Sequence, residues 1–158
     1  MKPLEPGAPA PDFALPHKPG NPPVRLADFR GRKPVVLLFF PLAFSAVCTD
    51  EMCGVAASYQ RWEALDAQIL GISVDSPFAN ALFAEQCGAA FPILSDFNRD
   101  AIRAYGVLNP DFYGLKDVAH RSAFVVDRAG KIAYSWVSED ASVMPPFDDI
   151  HAAVAAAG

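Results

Sequence analysis

The chain has 158 residues, 52% of them hydrophobic, and a net charge of −5, which makes one domain able to bury roughly 70% of its unfolded surface without a stabilising metal or disulfide. Its three cysteines are too few, and odd in number, for a secreted disulfide framework; the acidic balance, with no Lys/Arg-rich face, argues against a nucleic-acid partner. "MKPLEPGAPAPDFALP" lacks the apolar core of a signal peptide, and the longest apolar run, residues 34–43, is too short to span a bilayer. The expected setting is therefore a reducing cytoplasm with no membrane partner, where a thiol is more often chemical than structural.

Eight prolines in the first 23 residues exclude an early helix and predict short extended pieces at 12–15 and 24–26, joined by the turn-forming "HKPGNPP". Residues 34–40 form a continuous apolar run of strand length, as expected for a strand covered on both faces. A long helical pattern follows over about 48–67, and then "QILGISV" as a second buried strand. "SPFANALFAEQCG" predicts a helix with Ser76 as N-cap, Pro77 in the first turn and Gly88 as its stop. "FPILSD" reads as a short strand, "NRDAIRAYGV" as a short helix, and "SAFVVDRAGKIAYSWV" as a hairpin turning at 127–130. "PFDDIHAAVAAAG" predicts a last helix. This order implies one α/β domain, residues 1–158, with a central mixed sheet flanked by helices. It is the thioredoxin-like arrangement with an N-terminal β extension.

Catalytic groups in open α/β sheets gather at the carboxyl ends of strands, and Cys48 lies just past such an end, where a helix begins. A helix N-terminus carries about half a positive charge and unpaired N–H groups, and both stabilise a thiolate. At about 100° per residue, Cys48, Met52, Val55, Tyr59 and Trp62 fall in one apolar stripe roughly 80° wide, so Cys48 starts a buried face. An inert, packed cysteine at a helix start fits the same pattern.

The surrounding residues are more specific. "PLAFSAVCTDE" resembles the peroxiredoxin active-site pattern P-x-x-x-[TS]-x-x-C, with Pro41, Ser45 and Cys48 at its defining positions. The likeness extends to "APDFAL", "ILGISVDS", "FPILSD" and "RSAFVVDRAGKI". It is nearest to the bacterioferritin-comigratory group and to the small one-cysteine peroxiredoxins of actinobacterial type. The resemblance implies a cofactor-free enzyme that reduces hydrogen peroxide and organic hydroperoxides through a sulfenic acid on Cys48. It also implies that Arg121, opening "RSAFVVD", donates toward the reacting centre and that Glu51 orients it. Ser45 stands where threonine is commoner, keeping the hydroxyl but losing β-branching.

Elementary kinetics shows why these donors are needed. A thiol with a pKa of ~8.5 is about 3% ionised at pH 7, so full ionisation raises the thiolate only about 30-fold. Nucleophilicity falls as pKa falls, which returns part of that gain. The remaining acceleration needs groups aimed at the peroxide oxygens, for which the candidates are the Cys48 N–H, the Ser45 hydroxyl and Arg121.

Cys48 and Cys53 are five residues apart. On an intact helix their Cα atoms stand about 8.6 Å apart, beyond the ~7 Å limit for a disulfide, so a bond between them requires the first turns to unwind. By resemblance to the bacterioferritin-comigratory group, Cys53 is the expected resolving thiol. Cys87 is the alternative, and a one-cysteine mechanism with an external thiol is the third. The implied reductant is thioredoxin, a glutaredoxin-like protein or a low-molecular-weight thiol.

The cysteines lack zinc spacing, and His17, His120 and His151 show no pairing, so no metal is expected. Phe39, Phe40 and Phe44 are expected in the core or pocket wall. The cysteine-free tail supplies no intersubunit resolver, and Leu42 and Phe112 serve either loop packing or a dimer contact in a monomer or homodimer. A thiol–disulfide reductase on the same fold and a non-catalytic holdase are the rival functions.

Overall fold

The computed structural model describes residues 2–157; Met1 and Gly158, the ends of the expected domain, lie outside them. Strands β1 (Ala14–Leu15) and β2 (Val24–Arg25) form a small antiparallel pair, followed by a 3₁₀ turn at Leu26–Phe29. The centre is a five-stranded sheet built from β3 (Val35–Phe39), β4 (Gln68–Ser73), β5 (Ile93–Ser95), β8 (Arg121–Val126) and β9 (Ile132–Ser138), in the order β5-β4-β3-β8-β9. β3, β4 and β5 run parallel, while β8 pairs antiparallel with both β3 and β9. The expected mixed sheet is therefore present. A further pair, β6 (Leu108–Asn109) with β7 (Val118–Ala119), was not anticipated.

The apolar run at 34–40 is explained by its two faces. Val35, Leu37 and Phe39 pack in one buried cluster with Tyr105 and Phe124. Val36, Leu38 and Phe40 pack in the other with Met52, Phe83 and Ile150. Each such side chain, fully removed from water, contributes about 1.5–3 kcal/mol.

The second cluster lies beneath α1 (Ala46–Ala57), α2 (Tyr59–Glu63), α3 (Pro77–Cys87) and α5 (Phe147–Ala157); α4 (Asp100–Ala104) adds Ala101 and Ile102 to the first. The single helix expected over 48–67 is corrected to α1 and α2. It starts at Ala46 and breaks at Ser58, whose hydroxyl donates to the Gly54 carbonyl at 3.0 Å. Such back-bonding competes with the helical ladder, and Gly54 in the preceding turn weakens it further.

α3 follows its sequence signals closely. The Ser76 hydroxyl accepts from Ala79 N–H at 3.2 Å, Pro77 opens the helix, and Gly88 ends it with φ of +67°, a left-handed conformation that costs glycine little. α1 lies close over β4 because position 71 is glycine: a Cβ there would stand 3.1 Å from Met52 Sδ. Among the described residues no helix is long and apolar enough to cross a membrane.

Candidate active site

Pro41 ends the run of β3 and is buried. The loop from Pro41 to Ser45 then turns into α1, pinned where the Ala43 N–H donates to Asp75 Oδ2 at 2.7 Å. Ser73 Oγ donates to the same oxygen at 2.6 Å, and Asn80 Nδ2 donates to Ser73 Oγ at 3.0 Å. The loop thus shares a polar network with the end of β4 and the start of α3. Phe44 sits at φ +68°, a strained conformation for a residue with a bulky side chain. Its ring packs on Phe83 with centroids 5.1 Å apart.

Ser45 is the backbone N-cap of α1, and its carbonyl accepts the Thr49 N–H at 2.8 Å. Cys48 lies in the first turn, ahead of that hydrogen bond, where helix N–H groups have no intrahelical acceptor. The Ser45 hydroxyl donates instead to the Leu42 carbonyl at 2.9 Å. Its hydrogen is engaged there, so donation to a peroxide requires that bond to be exchanged.

Cys48 is a free thiol and fully buried. Arg121, the first residue of β8, is 1% exposed. Its Nη2 donates to Cys48 Sγ at 3.2 Å, its Nη1 to Glu51 Oε1 at 2.5 Å, and its Nε to the Ala141 carbonyl at 3.0 Å. One guanidinium thereby holds three partners in a fixed plane, as its fork geometry allows. Burial opposes its charge, but Glu51 and then Cys48 outweigh burial and shift the guanidinium upward.

Glu51 is also fully buried, and its Oε2 has no hydrogen-bond partner among the described residues. Burial raises its carboxyl to about 7, against the lowering effect of Arg121. Upward is the expected net direction, because one carboxylate oxygen is removed from water without compensation. An open cleft of about 500 Å³ reaches this centre, lined by residues that include Pro41, Phe112, Tyr113, His120, Arg121 and Ser138.

Cys48, Arg121 and Glu51 are thus brought together from α1 and β8, while Ser45 and Pro41 frame the loop in front of them. The Ala141 carbonyl and Asp75 were not anticipated as supports. A backbone acceptor leaves no signal in sequence, and Asp75 appeared only inside the "ILGISVDS" likeness. Leu42 and Phe112 are half-buried and pack against the first apolar cluster, in line with loop packing.

The other two cysteines are joined to each other, a bond that the sequence reading did not anticipate. Cys53, in the middle of α1, is disulfide-bonded to Cys87, the last residue of α3, with Cα atoms 4.5 Å apart. The physical reason is the wound state of α1, which keeps Cys48 and Cys53 apart while α3 crosses α1 and brings its end to Cys53. Both bonded cysteines are half-buried.

The AhpC/TSA family profile matches residues 6–135. Alkyl hydroperoxide reductase E of Mycobacterium tuberculosis is 38% identical over 142 residues, 89% of this chain and 90% of that protein. Peroxiredoxin Bcp of Escherichia coli is 35% identical over 136 residues, 85% of this chain and 86% of that protein. Among solved structures, peroxidoxin BcpB of Mycobacterium tuberculosis matches with a TM-score of 0.84 at 30% identity, covering 97% of each chain.

Proposed function

The chain belongs to the AhpC/TSA family and is a thiol peroxidase of the peroxiredoxin type, and on that premise we propose that Cys48 is the sulfur that attacks peroxide. Its thiolate attacks the distal oxygen, the O–O bond breaks, and the departing oxygen takes a proton to leave as water or alcohol, with Cys48 left as sulfenic acid. Hydrogen peroxide and organic hydroperoxides are the substrates, the second by analogy with the alkyl hydroperoxide reductase relatives.

The observation that carries this reading is the Arg121 guanidinium 3.2 Å from Cys48 Sγ in a buried pocket. A fixed cation beside the sulfur favours its negative charge, and it is already placed for the charge that moves onto the leaving oxygen. Glu51 holds the guanidinium in that orientation. Ser45 and Pro41 shape the loop, and the Cys48 N–H adds a donor. The whole chain, 1–158, acts as one such domain, as a monomer or homodimer.

For the next step, Cys53 resolves the sulfenic acid through an intramolecular disulfide once the first turns of α1 open. Unwinding a helix end disturbs few partners. Resolution by Cys87 and by an external thiol are the competing routes. Thioredoxin, a glutaredoxin-like protein or a low-molecular-weight thiol supplies the reducing equivalents.

Cys48→Ser is expected to abolish peroxide consumption measured with a thiol reductant; full retained activity refutes the assignment. The half-buried Cys53–Cys87 bond favours a second reading, a thiol–disulfide oxidoreductase. Reduction of insulin disulfides without peroxide turnover would establish that reading instead.

A further inference from the structure

The three sulfurs occupy two unlike places. Cys48 is fully buried and free, whereas Cys53 and Cys87 are bonded to each other and half-buried. Peroxide chemistry begins at the first place, and the disulfide stands at the second. Cys53 connects them, because it shares α1 with Cys48 and a bond with Cys87.

The two bonds open to Cys53 make opposite demands on the fold. A Cys48–Cys53 bond requires α1 to unwind, since the wound helix holds the Cα atoms about 8.6 Å apart. A Cys53–Cys87 bond forms with α1 and α3 both wound, at a Cα separation of 4.5 Å. Rewinding α1 also returns Cys48 and Met52 to the apolar cluster beneath it. The fold therefore favours exchange of the first bond for the second.

We propose that Cys87 is a third catalytic thiol, which takes the disulfide from Cys48 and delivers it to the protein edge. The inference rests on Cys48 being the peroxidatic sulfur. Cys53 thiol condenses with the Cys48 sulfenic acid, forming the Cys48–Cys53 bond and releasing water. Cys87 thiolate then attacks Cys53 Sγ; the Cys53–Cys87 bond forms and Cys48 leaves as thiolate.

Across both steps Cys53 and Cys87 supply the two electrons, and Cys48 returns to its starting state. Once α1 rewinds, the released Cys48 sulfur regains the Arg121 guanidinium as a hydrogen-bond donor. A reducing dithiol then attacks the half-buried pair and has no need to enter the Cys48 pocket. The released Cys48 meets a second peroxide with no internal resolver left, so in this state the chain works as a one-cysteine enzyme.

The test starts from the fully reduced full-length chain treated with one molar equivalent of hydrogen peroxide, quenched at intervals, alkylated and mapped by peptide mass. The expected result is a transient Cys48–Cys53 link that gives way to Cys53–Cys87 with Cys48 alkylated. A second equivalent then produces a Cys48 sulfenic acid that a 1,3-dione captures. Cys87→Ser is expected to stop at Cys48–Cys53 and to consume only the first equivalent.

A wild-type end product that keeps Cys48 in the disulfide overturns the relay, as does a sulfenic acid that persists after the first equivalent. In Cys48→Ser the Cys53–Cys87 bond is expected to form at least about 100-fold more slowly under peroxide; formation at the wild-type rate also overturns it. If Cys48→Ser still consumes peroxide like wild type, the parent assignment fails. If only the end product is wrong, the parent assignment stands and the relay alone falls.

Discussion

The first turn of α1 and its middle differ in what they ask of a sulfur. At Cys48 the surroundings are dry and charged: a buried guanidinium contacts Sγ and a buried carboxyl holds that guanidinium. At Cys53 the sulfur instead meets Cys87 from a neighbouring helix at a half-buried edge. The first place suits a reaction that moves charge onto a leaving oxygen, where preorganised donors act most strongly. The second suits exchange with another sulfur, which depends on access and approach. One helix thus gives two thiols different surroundings, because different elements pack against its first turn and its middle.

The largest disturbance of this contrast is Arg121→Met. It leaves Glu51 buried without its Arg121 partner, and breaking a buried pair from one side costs about 3–5 kcal/mol. Loss of one aimed donor lowers kcat/KM by about 10²–10³-fold. Urea unfolding and peroxide kinetics measure the two effects. The Cys53–Cys87 bond is expected to form with an unchanged Cα spacing in a crystal structure of the variant, because Arg121 does not touch that pair.

Glu51→Gln probes the same end through pH. The carboxyl has an ordinary value of 4.5 and titrates at about 7 in the fold. Between those values the folded chain holds more protons than the unfolded one, so this group's contribution to stability is complete below about 4.5 and is lost as pH rises through 7. The contribution is at most about 3 kcal/mol. Unfolding free energies measured from pH 5 to 8 are expected to show a downward slope in wild type that Glu51→Gln flattens.

Gly71→Val tests the middle of α1. The added side chain meets Met52 Sδ and Ile93, and overpacking of this kind costs about 1–3 kcal/mol. Because Met52 precedes Cys53, the variant is expected to slow formation of the Cys53–Cys87 bond more than it slows the attack of Cys48 on peroxide. Stopped-flow oxidation followed by thiol mapping separates the two rates.

These contrasts also explain what the sequence revealed. α3 was legible to the residue because Ser76, Pro77 and Gly88 each act locally, within one turn of the helix. The apolar run at 34–40 and the Asp127–Gly130 turn are legible for the same reason. The break at Ser58 was not, because a serine hydroxyl bonding back to Gly54 leaves the apolar stripe intact. β6 and β7 are two residues each, too short for any periodicity to register.

At the site, Cys48, Ser45 and Pro41 were placed by a local motif, and Arg121 and Glu51 only by family resemblance, since α1 and β8 are far apart in sequence. The Cys53–Cys87 contact was missed altogether. It depends on how α3 crosses α1, and so on Gly71 letting α1 approach the sheet and on Phe83 meeting Phe40 and Phe44.

The smallest expected effect comes from Ser45→Thr. The serine hydroxyl donates to the Leu42 carbonyl, and threonine retains that donor while its second substituent on Cβ narrows the choice of χ1. The loop it stiffens already carries a residue at φ +68°, Phe44, so reduced freedom at the next position acts where strain is stored. Unfolding stability is expected to rise by about 0.5 kcal/mol or less, with kcat/KM changed by less than about twofold. A loss of more than about tenfold in kcat/KM would mean that the hydroxyl turns away from Leu42 during the reaction, a rotation that serine permits and threonine resists.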